Sequence, residues 1–141
     1  MDNRIDTTLG ALKESGQTAV VPFITIGFPD LALSERLAET ILNAGGDMLE
    51  LGVPFSDPLA DGPTIQMTSF QALKNGTNVH ASLDVVRGLR KNGVNSPLIF
   101  MGYFNPFFRY GLRRFIADAA EAGLDGIIVP DLPTEESEGL R

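Results

Sequence analysis

The stretch Met48-Leu49-Glu50-Leu51-Gly52-Val53-Pro54 decides how this chain folds, and the turn-rich run after it, Phe55-Ser56-Asp57-Pro58-Leu59-Ala60-Asp61-Gly62-Pro63, points to the kind of site it carries. Side chains alternate along a strand, so Leu49, Leu51 and Val53 share one face while Met48, Glu50 and Gly52 share the other. Apolar residues on both faces read as a strand of a parallel sheet covered on both sides, where neither face offers Glu50 bulk water. A carboxylate placed there must be paired, neutralised or put to use. The plain alternative is an edge strand or a simple salt bridge. Near the C-terminal end of a strand that feeds a long loop, however, Glu50 stands where parallel α/β enzymes place their chemistry. Asp61 supplies a second acid. Asp57-Pro58 and Asp61-Gly62 are turn signals, and the prolines stiffen the loop, which suits a side chain that must be aimed. Two acids, one buried and one wetter, are a known way to divide proton-transfer work.

Working outward, short β-branched or aromatic runs alternate with amphipathic ones, the pattern of a βα-repeat protein. Strands are expected at Ala19 to Ile26, Asp47 to Val53, Leu98 to Tyr103 and Gly126 to Pro130. A helix capped by Asp30 should bury Leu33, Leu37, Ala38, Ile41 and Leu42 and end at Gly45-Gly46. A second, from Asn78 to Asn92, should bury Leu83, Val86 and Leu89. A third is expected from Phe107 to Ala122, with Leu112, Phe115, Ile116 and Ala119 inward and Gly123 as its stop. Shorter helices are expected at Thr64 to Lys74 and Ile5 to Ser15. A weak repeat matches Ala44-Gly45-Gly46-Asp47-Met48-Leu49-Glu50-Leu51 to Ala122-Gly123-Leu124-Asp125-Gly126-Ile127-Ile128-Val129, each the end of a helix entering a strand. Glu50 aligns with Ile128. Four strands are too few to close a barrel, which takes eight strands and roughly 250 residues. The sequence also stops at Thr134 to Arg141, inside what should be a fourth helix. The expectation is therefore one domain over residues 1–141, either an open four-stranded sheet or the first half of something longer.

Composition narrows the function. The 141 residues are 43% hydrophobic, ordinary for a globular domain, and carry a net charge of -7 with a pI near 4.5. That charge argues against nucleic acid or an anionic membrane as partner. There is no cysteine, hence no disulfide, thiol nucleophile or thiolate metal site. The single histidine, His80, has no second histidine to share a metal and is expected on the surface at a helix start. Met1 to Gln17 lacks the apolar run of a secretory signal, and Ala19 to Pro29 is too short to span a bilayer, so a soluble cytoplasmic protein is expected.

Leu49 to Gln66 as a whole strongly resembles the alpha subunit of tryptophan synthase. Phe23-Ile24-Thr25-Ile26-Gly27-Phe28-Pro29-Asp30, Gly102-Tyr103-Phe104-Asn105-Pro106 and Val129-Pro130-Asp131-Leu132-Pro133 support the resemblance. It covers essentially the whole chain but only the N-terminal half of that family's barrel. It implies about four βα units plus an N-terminal helix, the first half of a (β/α)8 TIM barrel truncated within its fourth unit. The activity it implies is a carbon-carbon lyase: retro-aldol cleavage of indole-3-glycerol phosphate to indole and glyceraldehyde 3-phosphate in tryptophan biosynthesis. No cofactor or metal belongs to such a subunit; pyridoxal phosphate is expected in the partner beta subunit of an alpha2-beta2 complex, which receives the indole.

By the same resemblance Glu50 is the principal acid/base and Asp61 the carboxylate that accepts the indole N–H. The indole slot comprises Phe23, Thr25, Ala60, Met101, Tyr103, Ile128 and Pro130, and a buried Tyr103 phenol should find a partner in Glu50 or Thr25. Asp57, Pro58, Asn105, Pro106, Phe107, Asp131 and Pro133 are expected to face the beta subunit, while Phe104 and Phe108 pack under the next helix. Ile26 replaces a usually small residue and should affect helix packing. Gln71 replaces a common arginine. Phosphate-binding loops belong to later barrel units, and Gly27, Gly52 and Gly102 do not form a substitute phosphate loop. Two rival readings are a catalytically incomplete half barrel that only docks on a beta subunit, and a self-associating structural fragment with open sheet edges.

Overall fold

The computed structural model describes residues 3–140. Four parallel strands, β1 (Phe23–Thr25), β2 (Leu49–Gly52), β3 (Leu98–Met101) and β4 (Gly126–Ile128), pair in the order β1-β2-β3-β4. They alternate with α1 (Arg4–Ser15), α2 (Leu31–Asn43), α3 (Pro63–Lys74), α4 (Val79–Lys91), α5 (Phe104–Tyr110) and α6 (Leu112–Ala122), and a 3-10 helix closes the chain at Thr134–Leu140. Strictly sequential parallel order means that every crossover returns on the same side, which curls a sheet toward a barrel and leaves its other face free. The strands are shorter than the apolar runs that announce them. Their ladders nevertheless extend one bond further, Ile26 N–H to the Gly52 carbonyl at 2.9 Å and Val53 N–H to that of Met101 at 2.8 Å.

The core lies between sheet and helices. Leu49, Leu51, Leu98 and Phe100 meet Leu83, Val86 and Leu89 of α4 and Phe115 and Ala119 of α6 in one apolar cluster. Ile26 is fully buried in that cluster, as its face predicted. Asp30 and Asn78 cap α2 and α4 through Leu33 N–H and Ala81 N–H.

Two helix expectations need correction. The inward stripe of α2 is Leu31, Ser34, Ala38 and Ile41; Leu33 and Leu37 stay 42% and 41% exposed. The Ser34 hydroxyl gives its hydrogen to the Leu31 carbonyl and accepts Gly27 N–H, so a small polar residue fastens the helix where a leucine would hold it off. The single helix expected from Phe107 to Ala122 is two, broken at Gly111, whose φ of 95° no L side chain adopts easily.

The repeat is real in three dimensions. Asp47 N–H donates to the Val20 carbonyl at 3.0 Å while Asp47 Oδ2 accepts Val20 N–H at 2.8 Å. Asp125 does the same with Leu98, at 2.9 and 2.8 Å. Asp125 also pairs with Arg4 of α1 and with Arg90 of α4, whose guanidinium further donates to the carbonyls of Gly123, Val94 and Ser96. Burial draws the Arg90 guanidinium below its ordinary value and Asp125 draws it back up; an arginine stays charged throughout. These ties gather at the N-terminal ends of the strands, where α1 sets Ile5 against Gly126.

Candidate active site

Strand register arranges the free face of the sheet in rows. Phe23, Glu50, Ile99 and Gly126 align across the four strands, and so, two residues further on, do Thr25, Gly52, Met101 and Ile128. Apart from Thr25, Glu50 is the polar side chain in an apolar field. Its flanking leucines are fully buried on the opposite, helix-covered face, and Glu50 itself is partly exposed. The expectation that neither face offers it water is thereby corrected: on this half barrel the inner face is open. Among the described residues no group forms an ion pair with its carboxylate. Glu50 therefore ties no other part of the described fold through an ion pair.

Gly52 makes room beside it. A Cβ there would lie 2.5 Å from the Phe23 ring, which therefore rests across the β2 backbone next to Glu50. Gly27 and Gly102 serve the same kind of close approach, to Thr77 and to Phe107. Met101 is half-buried, Ile128 is 39% exposed, and Pro130 and Ala60 are exposed along the rim. Thr25 is spoken for. The Thr68 hydroxyl of α3 gives its one hydrogen to the Ile65 carbonyl, so the 2.7 Å contact with Thr25 has Thr25 as donor. Thr25 thus moors α3 over the end of β1.

Tyr103 does not bond Glu50 or Thr25 as expected. Its ring is 4% exposed and packs on Phe55 at 5.4 Å between centroids, and its hydroxyl accepts Ala60 N–H at 2.8 Å. Asp61 is held at the same point: its N–H donates to the Pro58 carbonyl at 3.1 Å and its carbonyl accepts from Gln66 at 2.9 Å. Burial raises the Tyr103 phenol above its ordinary value; the Ala60 N–H opposes this, and the Asp61 and Asp131 carboxylates beside it add to the rise. Phe55 and Thr68, neither singled out by sequence, complete this arrangement. No local signal marks them, since each acts on a strand distant in sequence.

The loops after β2 and β3 share a groove of about 660 Å³ that runs from Asp57 past Asn78 and His80 to Asn105, Pro106 and Arg109. His80 is exposed, as expected, and its ring lies tilted by 45° against Tyr110 at 4.3 Å between centroids. Pro58 lines a neighbouring hollow with Phe70. Asp131 binds Phe104 N–H at 2.9 Å, and Pro133 is exposed beyond it. Phe107 leaves the partner-facing set: it is fully buried and stacks on Phe115 at 4.5 Å, so no partner can reach it. Phe108, expected under a helix, is instead 60% exposed and lies against Phe104. Gln71 donates to Asn75, whose amide holds the carbonyls of Gly27 and Pro29. A neutral amide chain thus occupies the position at which Gln71 replaces an arginine. No group of histidines and acids able to hold a metal occurs among the described residues, and no helix there is long and apolar enough to cross a membrane.

An acid near the C-terminal end of a parallel strand, with a second acid on the loop beyond it, is the arrangement in which barrel-type α/β enzymes build their sites. The family model for the tryptophan synthase alpha chain matches residues 9–141, and the chain belongs to that family. The tryptophan synthase alpha chain of Citrifermentans bemidjiense is 50% identical over 139 residues, covering 99% of this chain and 52% of the relative. That of Clostridium acetobutylicum is 44% identical over 141 residues, 100% of this chain and 53% of the relative. The crystal structure of the alpha subunit from Legionella pneumophila superposes with a TM-score of 0.96 at 44% identity, over 99% of this chain and 53% of that one. This chain spans about half the length of the curated relatives it matches, and its fold is the first half of their (β/α)8 barrel.

Proposed function

We propose that this chain carries the acid/base side of a lyase site that splits indole-3-glycerol phosphate into indole and glyceraldehyde 3-phosphate. The observation that carries the reading is Glu50, unpaired on the inner face between Phe23 and Ile99. The carbon-carbon bond to an aromatic carbon breaks only once that carbon is protonated. Glu50 delivers this proton to indole carbon 3 and takes one from the glycerol hydroxyl, whose oxygen becomes the aldehyde. The acid ends as it began, and no metal or cofactor is called for. Asp61 accepts the ring N–H and offsets the positive charge that develops there. Phe23, Met101, Ile128, Pro130, Ala60 and the Tyr103 ring would line the indole slot, with the phosphate left to barrel units beyond β4.

The groove that joins Asp57, Asn105 and Pro106, with Pro58, Asp131 and Pro133 around it, is the surface for a beta subunit, whose pyridoxal phosphate would consume the indole. We place the protein in the cytoplasm, in keeping with a cysteine-free acidic chain.

In a barrel completed by a C-terminal half, Glu50→Gln should lower lyase turnover by ~10²- to 10⁴-fold with an unchanged melt, because the amide keeps the volume and loses the transferable proton. Turnover within a few-fold of the parent would refute the assignment, and a silent Asp61→Asn would return Asp61 to the role of a turn residue. Residues 1–141 alone should show little lyase activity in an indole-release assay, because remote binding energy from the phosphate supports turnover as well as affinity.

A further inference from the structure

We propose that Tyr103 is the positioning residue for Asp61: its hydroxyl is the peg on which the loop after β2 hangs, and that peg sets the direction of the Asp61 carboxylate. The inference rests on the lyase reading for the use made of Asp61, but its geometry stands apart from it. The loop has little apolar anchorage at its tip, where Leu59 is 96% exposed and Ala60 is exposed as well. Its other ties are local: Leu59 N–H to Asp57, Asp61 N–H to Pro58, and the Gln66 amide to the Asp61 carbonyl. The bond from Ala60 N–H to the Tyr103 hydroxyl joins it instead to the end of another strand, 43 residues away in sequence.

The peg is itself well anchored. The ring is buried against Phe55, and the next residue, Phe104, is tied by its N–H to Asp131. The loops after β2 and β4 therefore both tie to Tyr103-Phe104, the first at the phenol and the second at the backbone. With Ala60 donating to its oxygen, the phenol still carries its own hydrogen, and burial favours that protonated form, with the Asp61 and Asp131 charges adding to it. Phenylalanine at this position would fill the same space and hold nothing.

The experiment is nuclear magnetic resonance on this chain, comparing the parent with Tyr103→Phe, and with Tyr110→Phe as a control that removes the other phenol, which bonds Asp118. In Tyr103→Phe, solvent exchange of the Ala60 amide should quicken about five- to tenfold, the scale of one lost hydrogen bond, and the Asp61 carboxyl carbon signal should move. The core amides of Leu51 and Phe100 should exchange as before. Ala60 exchange within twofold of the parent overturns the proposal, as does the same Ala60 response in Tyr110→Phe. Quickened exchange at Leu51 and Phe100 also overturns it, since Tyr103 would then be a packing residue. Failure of the lyase reading would leave all these signals untouched and appear only in the turnover of Glu50→Gln.

Discussion

The two strand entries of the internal repeat make the same joint and add different things to it. Asp47 and Asp125 each grip the preceding strand with one backbone donor and one carboxylate oxygen, Asp47 at Val20 and Asp125 at Leu98. Around Asp125 two arginines gather, while Asp47 has no ion pair among the described residues. Three residues after each aspartate, on the same inner face, one copy presents Glu50 and the other Ile128. The clamp belongs to the architecture and recurs where α2 feeds β2 and where α6 feeds β4. The acid is a departure from the repeat, and under the proposed reading it belongs to the chemistry.

The largest test of this comparison is to remove the clamps one at a time. Asp125→Ala leaves Arg90 mostly buried without its carboxylate and should cost ~3–5 kcal/mol, enough to unfold a marginal half barrel. Asp47→Ala loses one hydrogen bond and should cost ~1 kcal/mol by denaturant melt. Equal costs would mean that the arginines add nothing. Glu50→Ile makes the two copies alike. It should abolish turnover in a completed barrel yet change stability by no more than ~1 kcal/mol, in either direction, since the acid has no partner to lose; a larger destabilisation would assign Glu50 to the architecture after all. Smallest is Arg4→Ala. Arg4 is 47% exposed, so its removal should cost under ~1 kcal/mol and the loss should shrink further in high salt.

Much of this was legible from local pattern. The aspartate and asparagine caps, the stripes of α4 and α6 and the inward side of β2 follow from spacing and alternation alone. The break at Gly111 was hidden because apolar residues continue at helical spacing on both sides of it. That break rotates α5 against α6, which is why Phe107 turns into the core and Phe108 out of it, the reverse of what one continuous helix would give. Leu33 and Leu37 misled for a different reason: hydrophobicity marks residues that could be buried, but close approach of α2 favoured Ser34 and Ala38. Tyr103 and Ala60 meet across 43 residues, and nothing in either neighbourhood encodes the other.

Arg90 makes the four units less separable than their repetition implies. One side chain on α4 holds the chain where it enters β3, at Val94 and Ser96, and where α6 turns into β4, at Gly123 and Asp125. The third unit therefore reaches its lowest energy only after the fourth has docked. A chain cut at Ala122 would keep the buried guanidinium and lose its counter-charge, so it should melt earlier and less cooperatively than removal of one βα unit from an additive stack would predict. The third and fourth units thus behave as a pair, and a lineage that duplicates, swaps or splits this fold would find a breakpoint after β4 more viable than one between them.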